Sequence, residues 1–132
     1  MGPRGIRNCN PGNIRRTNDK WQGLRPVQTD KEFFQFESMA WGYRAMLKTL
    51  INYRILHDCW TVGDFIRRWA PPKENDTGKY IKTVCERMGV HPVYVPDIGS
   101  KVSMCMLASA MSYVENGVVA NMEEVAEGWE LL

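Results

Sequence analysis

The chain has 132 residues, of which 44% are hydrophobic and 24% are charged, a composition typical of one globular domain. Its formal net charge of +2 is too small to indicate nucleic-acid binding. No apolar run reaches the roughly 18 residues of a membrane span, and none resembles a secretory signal. The four cysteines are scattered without a Cys-x-x-Cys pair. We therefore expect cytoplasmic synthesis, reduced thiols, no metal site and no cofactor.

The first part of the chain, residues 1–36, is rich in turn-forming residues. Residues 4–16 alone contain two Gly, one Pro and three Asn, which favour positive φ or fix φ. This composition predicts a specific loop, and the alternative is an ordinary mobile N-terminus. Amide side chains on such a loop can form hydrogen bonds with neutral polar ligands such as sugars. Short β-like runs at 13–16 and 33–36, with turn residues between them, predict a small antiparallel sheet or hairpin.

From Ser38 onward, apolar residues recur at helical spacing. Capping residues and glycines mark the expected ends of five helices. We expect them from about Ser38, from Thr61 to Trp69, after Asp76 to Gly89, from Asp97 or Ser100 to about Val114, and after Asn121, where Glu124 would complete a capping box. With the small β element, this pattern predicts an α+β domain that is mainly α.

The fourth expected helix, over about 101–114, is apolar on almost all sides, which predicts a buried central helix. Glu115 stands at its C-terminal end, before Asn116 and Gly117, and lies on the same stripe as Met111 and Leu107. Burial and the negative end of the helix dipole both favour a protonated carboxyl group, the state that a general acid needs. The alternative is an exposed glutamate at a frayed helix end.

Aromatic residues give a second indication, because sugar rings stack on Trp and Tyr faces, although Trp also anchors small cores. Trp69 and Tyr80 flank the loop at 71–77 and could line a groove beside it. Glu74 and Asp76 lie in this loop and are candidates for a second carboxylate. Asp76 equally fits the N-cap of the following helix.

Several motifs follow one another along nearly the whole chain. They are Gly5-Ile6-Arg7-Asn8-x-Asn10-Pro11-Gly12-Asn13-Ile14-Arg15, Trp21-x-Gly23, Phe33-x-x-Phe36-Glu37-Ser38, Gly42-Tyr43-Arg44-Ala45, Arg68-Trp69-Ala70-Pro71-Pro72-x-Glu74-Asn75-Asp76-Thr77-x-x-Tyr80-Ile81 and Glu115-Asn116-Gly117. This order resembles small phage and prophage proteins described as virion structural proteins or lysozyme-like endolysins. Cys9 departs from the pattern, in which Asn is usual at that place. The resemblance implies a single lysozyme-like domain over residues 1–132.

The N-terminal motifs are also similar to part of the flagellar and autolysin glucosaminidases. In those enzymes the catalytic Glu ends a helix immediately upstream of the first motif. Here residues 108–117, which contain Glu115, resemble that helix but lie at the other end of the sequence. We expect a circular permutation, which is tolerable because the termini of a domain often lie close together.

These resemblances imply cleavage of peptidoglycan glycan strands by a muramidase, glucosaminidase or lytic transglycosylase activity. Glu115 would protonate the glycosidic oxygen as general acid. Either a second carboxylate would then activate water, or a hydroxyl group of the substrate would attack. Glu74 is the first choice for that carboxylate, followed by Glu37 and Asp76.

For substrate binding, the resemblance implies that Trp69 and Tyr80 contact sugar rings, and that Asn10 and Asn13 support the groove wall. The expected route to the cell wall is within a virion, through a holin-type lesion or through a secretion system. The alternative from another class is a non-catalytic virion component or glycan-binding module with the same fold. An amidase or peptidase is disfavoured, because the sequence lacks a His/Cys metal-binding pattern.

Overall fold

The computed structural model describes residues 2–132, and this part of the chain contains six helices and no strand. None of these helices is both long enough and apolar enough to cross a bilayer. The helices are α1 (Arg4–Arg7), α2 (Met39–His57), α3 (Val62–Trp69), α4 (Thr77–Met88), α5 (Lys101–Asn116) and α6 (Met122–Glu130).

Local capping sets the boundaries of the five longer helices, as the sequence predicts. Each N-cap side chain accepts a hydrogen bond from a backbone N–H in the first turn, which satisfies a group that the helix leaves unpaired. The N-caps are Ser38, Thr61, Asp76, Ser100 and Asn121. Asn121 accepts from the N–H of Glu123, and the expected pairing with Glu124 does not form.

Helix α5 is the central helix of the domain and contacts α1, α2, α4 and α6. Met104, Leu107 and Met111 on this helix are fully buried. The helix is not buried on every side, because Val102 is 70% exposed and Met106 is 39% exposed. These two residues are four positions apart and share a helix face that no neighbouring helix covers.

The predicted antiparallel β element near the N-terminus is not present in the described residues, so the fold is helical rather than α+β. The runs at 13–16 and 33–36 do face each other, but they form only one isolated bridge, between Arg15 and Phe33. A second isolated bridge joins Leu24 and Phe36. Residues 2–37 otherwise consist of α1 and irregular loops.

Side-chain amides bond several backbone groups of this segment, beside a few backbone bonds such as that from the N–H of Phe34 to the carbonyl oxygen of Ile14 at 3.1 Å. The amide nitrogen of Asn10 donates to the carbonyl oxygens of Ile14 and Phe34, at 3.0 and 2.9 Å, and its oxygen accepts from the N–H of Ile14. Gln28 bonds both the N–H and the carbonyl of Gln35, at 2.7 and 2.8 Å. The sequence pattern identified the pairing runs but not these competing bonds.

The N-terminal segment is fixed to the helices at a close approach and at a small apolar cluster. Gly42 on α2 faces the carbonyl oxygen of Cys9, and a Cβ at this position would collide with it. Phe34, Phe36 and Ala45 form a buried cluster beneath the segment. Backbone contact of this kind requires glycine and positions residues 8–16 beside the helical body.

Candidate active site

A cleft of 520 Å³ opens between the N-terminal loop, α2, the loop after α3 and the C-terminal end of α5. It combines polar and aromatic side chains with the carboxyl groups of Glu115 and Glu74. Its lining residues are Gly12, Asn13, Ile14, Arg15, Phe33, Thr49, Tyr53, Trp69, Ala70, Pro71, Glu74, Asn75 and Glu115.

Two neutral donors hold the half-buried carboxyl group of Glu115, one at each oxygen. The amide nitrogen of Asn13 donates to Oε1 at 3.0 Å, and the hydroxyl of Tyr80 donates to Oε2 at 2.9 Å. Asn13 lies 102 positions from Glu115 in the sequence. The structure therefore brings together the N-terminal loop and the end of α5.

Tyr80 is 5% exposed, and burial, reinforced by the negative charge of Glu115, raises the pKa of its hydroxyl well above the ordinary value. The phenol therefore stays neutral and can donate to the carboxyl group at any physiological pH. Asn13 has a φ of 48°, in the left-handed region that Asn tolerates better than most residues. Both partners fix the orientation of Glu115 without adding charge.

The residue after the acid anchors the N-terminal loop to α5. The amide nitrogen of Asn116 donates to the carbonyl oxygen of Pro11 at 2.8 Å and to that of Ser112 at 3.0 Å. The Ser112 hydroxyl in turn lies 3.0 Å from the buried hydroxyl of Tyr43 on α2. This chain of polar contacts connects the loop, α5 and α2 directly behind the cleft.

The aromatic wall of the cleft is formed by Trp69 and Tyr53, whose ring centroids lie 6.3 Å apart in an edge-to-face arrangement. Gly12 packs against the Trp69 ring, and a Cβ there would lie 2.6 Å from its Cζ2 atom. The position of Trp69 thus depends on glycine at residue 12. Rings in this arrangement present a surface on which a sugar can stack.

The three candidates for a second carboxylate lie in different places. Glu74 lines the cleft with Glu115, is 63% exposed and pairs with Arg15 at 3.4 Å. Asp76 caps α4 by accepting from the N–H of Lys79, and it lines a neighbouring cavity of 450 Å³. Glu37 is exposed and lines neither cavity. Glu74 is the candidate that shares the larger cleft with Glu115.

Two other predicted residues lie elsewhere than on the wall of the main cleft. Asn10 is completely buried, and the hydrogen bonds of its side-chain amide fix the shape of the loop. Tyr80 lines the neighbouring cavity and holds Glu115. Sequence reasoning missed Thr49 and Tyr53, although their spacing of four residues on α2 places them on one face and could have identified them.

No group of three His, Cys, Asp or Glu residues in 2–132 is arranged to hold a metal ion. All four cysteines are free thiols. Burial raises the pKa of Cys59, Cys85 and Cys105, so these three thiols stay protonated at neutral pH.

Comparison with known proteins gives one informative similarity. No protein-family model matches the chain. Over 90 residues it is 36% identical to Protein P5 of Pseudoalteromonas phage PM2, an alignment that covers 66% of this chain and 56% of that protein. The chain thus spans about half the length of this curated relative. The comparison establishes that the chain is similar to a phage protein.

Proposed function

We propose that this protein is a phage-type domain that cleaves peptidoglycan glycan strands, with Glu115 as the general acid. The observation that carries the proposal is the cleft carboxyl group held at both oxygens by Asn13 and Tyr80. Catalysis depends on holding a proton donor in one orientation relative to the scissile bond. A neutral amide and a neutral phenol provide this orientation without an opposing charge.

In the first step, the proton of Glu115 moves to the glycosidic oxygen while the bond from that oxygen to the anomeric carbon breaks. The leaving sugar gains a hydroxyl group, and Glu115 becomes a carboxylate. A protonated carboxyl group can still accept both hydrogen bonds, since each oxygen retains a lone pair. Trp69 and Tyr53 would bind the sugar rings on one side of the cleft.

Two second steps are compatible with this arrangement, and their products differ. If Glu74 removes a proton from water, the water attacks the anomeric carbon and a reducing end results. If a hydroxyl group of the substrate attacks instead, an anhydro-sugar end forms and its proton returns to Glu115. The ion pair of Glu74 with Arg15 places this carboxylate at the cleft, which supports testing it first.

The test incubates the purified protein with peptidoglycan and identifies the released fragments by mass spectrometry. We expect Glu115→Gln to lower the rate of release by about 100- to 10,000-fold, the usual contribution of a general acid. Glu127→Gln is the matched control, because Glu127 is exposed and lines none of the cavities described above. Full activity of Glu115→Gln would refute the assignment, while Glu74→Gln decides between the two second steps.

The second candidate is a non-catalytic phage protein that binds glycan in the same cleft. The similarity to Protein P5 supports it, since that comparison concerns a phage protein and gives no activity. The two hydrogen bonds to Glu115 would equally serve a structural glutamate. This candidate predicts no release of fragments from peptidoglycan, and binding that Glu115→Gln preserves and substitution of Trp69 weakens.

A further inference from the structure

The main cleft continues into a second cavity of 580 Å³. Thr49 and Tyr53 line both spaces, so a ligand that passes these two side chains can occupy both. On the other side, Glu115 and Asn75 line both the main cleft and the 450 Å³ cavity. The 450 Å³ cavity, the main cleft and the second cavity therefore follow one another in that order. Glu115 lies where the first two meet, so the second cavity is at the end far from Glu115.

The second cavity differs from the main cleft in its charge. It contains the cationic side chains of Arg44 and Lys20, the imidazole of His57 and the carboxylate of Asp19. Asp19 accepts a hydrogen bond from the Thr17 hydroxyl at 2.8 Å. Within residues 2–132, neither cation has a carboxylate oxygen within the 4.0 Å of an ion pair. The cavity thus has two cations against one carboxylate, and neither cation is in an ion pair among the described residues.

Arg44 is the more informative of the two cations because it is half-buried. Its Nε and the indole Nε1 of Trp21, which lines the same cavity, are buried without a hydrogen-bond partner among the described residues. A polar group withdrawn from water is costly unless it is paired, and most buried polar groups have a partner. These two N–H groups beside the cavity are therefore left unpaired by the described residues.

We propose that this cavity, between α2 and residues 19–22, binds a carboxylate of the substrate. The inference rests on the proposed function, and it assigns a binding site to the acidic groups that distinguish peptidoglycan strands from neutral glycans such as chitin. In peptidoglycan the carboxylate is either that of a lactyl group on the sugar or one in the peptide branch. A guanidinium group forms strong charge-assisted hydrogen bonds with either. Arg44 and Lys20 then determine specificity, and Glu115 performs the chemistry.

The test measures binding in the Glu115→Gln background, so that no probe is consumed. Three probes are compared by calorimetry: neutral chitohexaose, glycan strands stripped of peptide so that their lactyl carboxylates are free, and peptide-bearing strands. We expect at least one acidic probe to bind about tenfold more tightly than chitohexaose, as a charge-assisted hydrogen bond would give. The acidic probe that shows the preference identifies the source of the carboxylate.

Arg44→Gln and Lys20→Gln should each reduce this preference, and Lys20 is exposed, so its replacement leaves the fold unchanged. Lys48→Gln is the matched control, because Lys48 is an exposed cation on α2 that does not line the cavity. The proposal is overturned if chitohexaose binds as tightly as both acidic probes. It is equally overturned if Lys48→Gln reduces the preference as much as the other two variants.

Failure of the inference is distinguishable from failure of the proposed function. Release of fragments from peptidoglycan without any preference for an acidic probe overturns the carboxylate site and leaves the glycan-cleaving function in place. An Arg44-dependent preference without release supports the carboxylate site and favours the glycan-binding alternative.

Discussion

The segment 2–37 and the helical body 38–132 differ in the interactions that stabilise each of them. The helical body buries a continuous apolar cluster around α5, with Leu107 and Met111 fully inaccessible. The N-terminal segment has only a small apolar cluster and relies on side-chain amides that bond its backbone. Apolar packing is non-directional, whereas each hydrogen bond of a side-chain amide requires one geometry. The loop that carries Asn13 is therefore shaped by specific polar contacts, and the helix that carries Glu115 by burial.

The largest effects should come from removing one principal contact in each region. Leu107→Ala in the helical body should lower the free energy of unfolding by about 2–5 kcal/mol. Asn10→Ala in the N-terminal segment should lower it by about 3 kcal/mol, because buried backbone groups of Ile14 and Phe34 lose their partners. Hydrogen exchange followed by mass spectrometry should show that Leu107→Ala accelerates exchange in the helices but leaves the local opening of 2–37 unchanged, whereas Asn10→Ala accelerates exchange in 2–37.

The control for this pair is Asn18→Ala, since Asn18 is exposed. It should leave both exchange and stability unchanged. If Leu107→Ala instead accelerates exchange in the N-terminal segment as much as in α5, the two regions are not stabilised separately.

A smaller, pH-dependent effect is expected at Asp30, whose carboxylate is 9% exposed. Arg4 donates two hydrogen bonds of 2.7 Å to it, and Asn8 donates a third of 2.9 Å. The Arg4 guanidinium, followed by Asn8 and two backbone N–H groups, holds the pKa of Asp30 well below its ordinary value of 3.8. Its stabilising contribution is therefore complete above the ordinary value and is lost as the pH falls below it.

Asp30→Asn should accordingly lower the free energy of unfolding by about 1–2 kcal/mol at pH 7. The difference from the wild type should shrink as the pH is lowered below about 4. Urea unfolding at a series of pH values measures this. A difference that stays constant down to pH 2.5 would show that the charge of Asp30 does not stabilise the N-terminal segment.

The smallest effect is expected at Cys9, which has a φ of 50° in the left-handed region. Asn adopts this conformation at lower cost than Cys, so Cys9→Asn should raise the free energy of unfolding by up to about 1 kcal/mol. Thermal unfolding of Cys9→Asn beside Cys9→Ala separates backbone strain from loss of the thiol. An equal gain in both variants would contradict the strain explanation.

The contrast between the two regions also explains what the sequence could predict. The N-caps Ser38, Thr61 and Asn121 act on residues two or three positions away, so their effect is visible in the local sequence. The bonds of Asn10 with Phe34, and of Asn13 with Glu115, join residues 24 and 102 positions apart. No local sequence pattern shows such long-range hydrogen bonds. The sequence therefore predicts a small sheet where the structure has loops held by the hydrogen bonds of side-chain amides.

The candidate site, like the fold, was only partly predictable from the sequence. Glu115 and Trp69 could be identified from helical periodicity and from the motifs that resemble known families, and both line the cleft. The contribution of Tyr53 was missed because the signal that its spacing of four residues from Thr49 gives, a shared face of α2, was overlooked. Arg15 reaches the cleft only because residues 13–16 pass beside the loop that carries Glu74.

The contact of Asn116 with Pro11 determines how late during synthesis the cleft can form. A ribosome releases the loop before α5, and the two contact residues are 105 positions apart. The loop therefore lacks its final partner, Asn116, until nearly the whole domain has been synthesised. The cleft is assembled among the last features of the protein, so a nascent chain cannot present a complete site until it can fold as a whole.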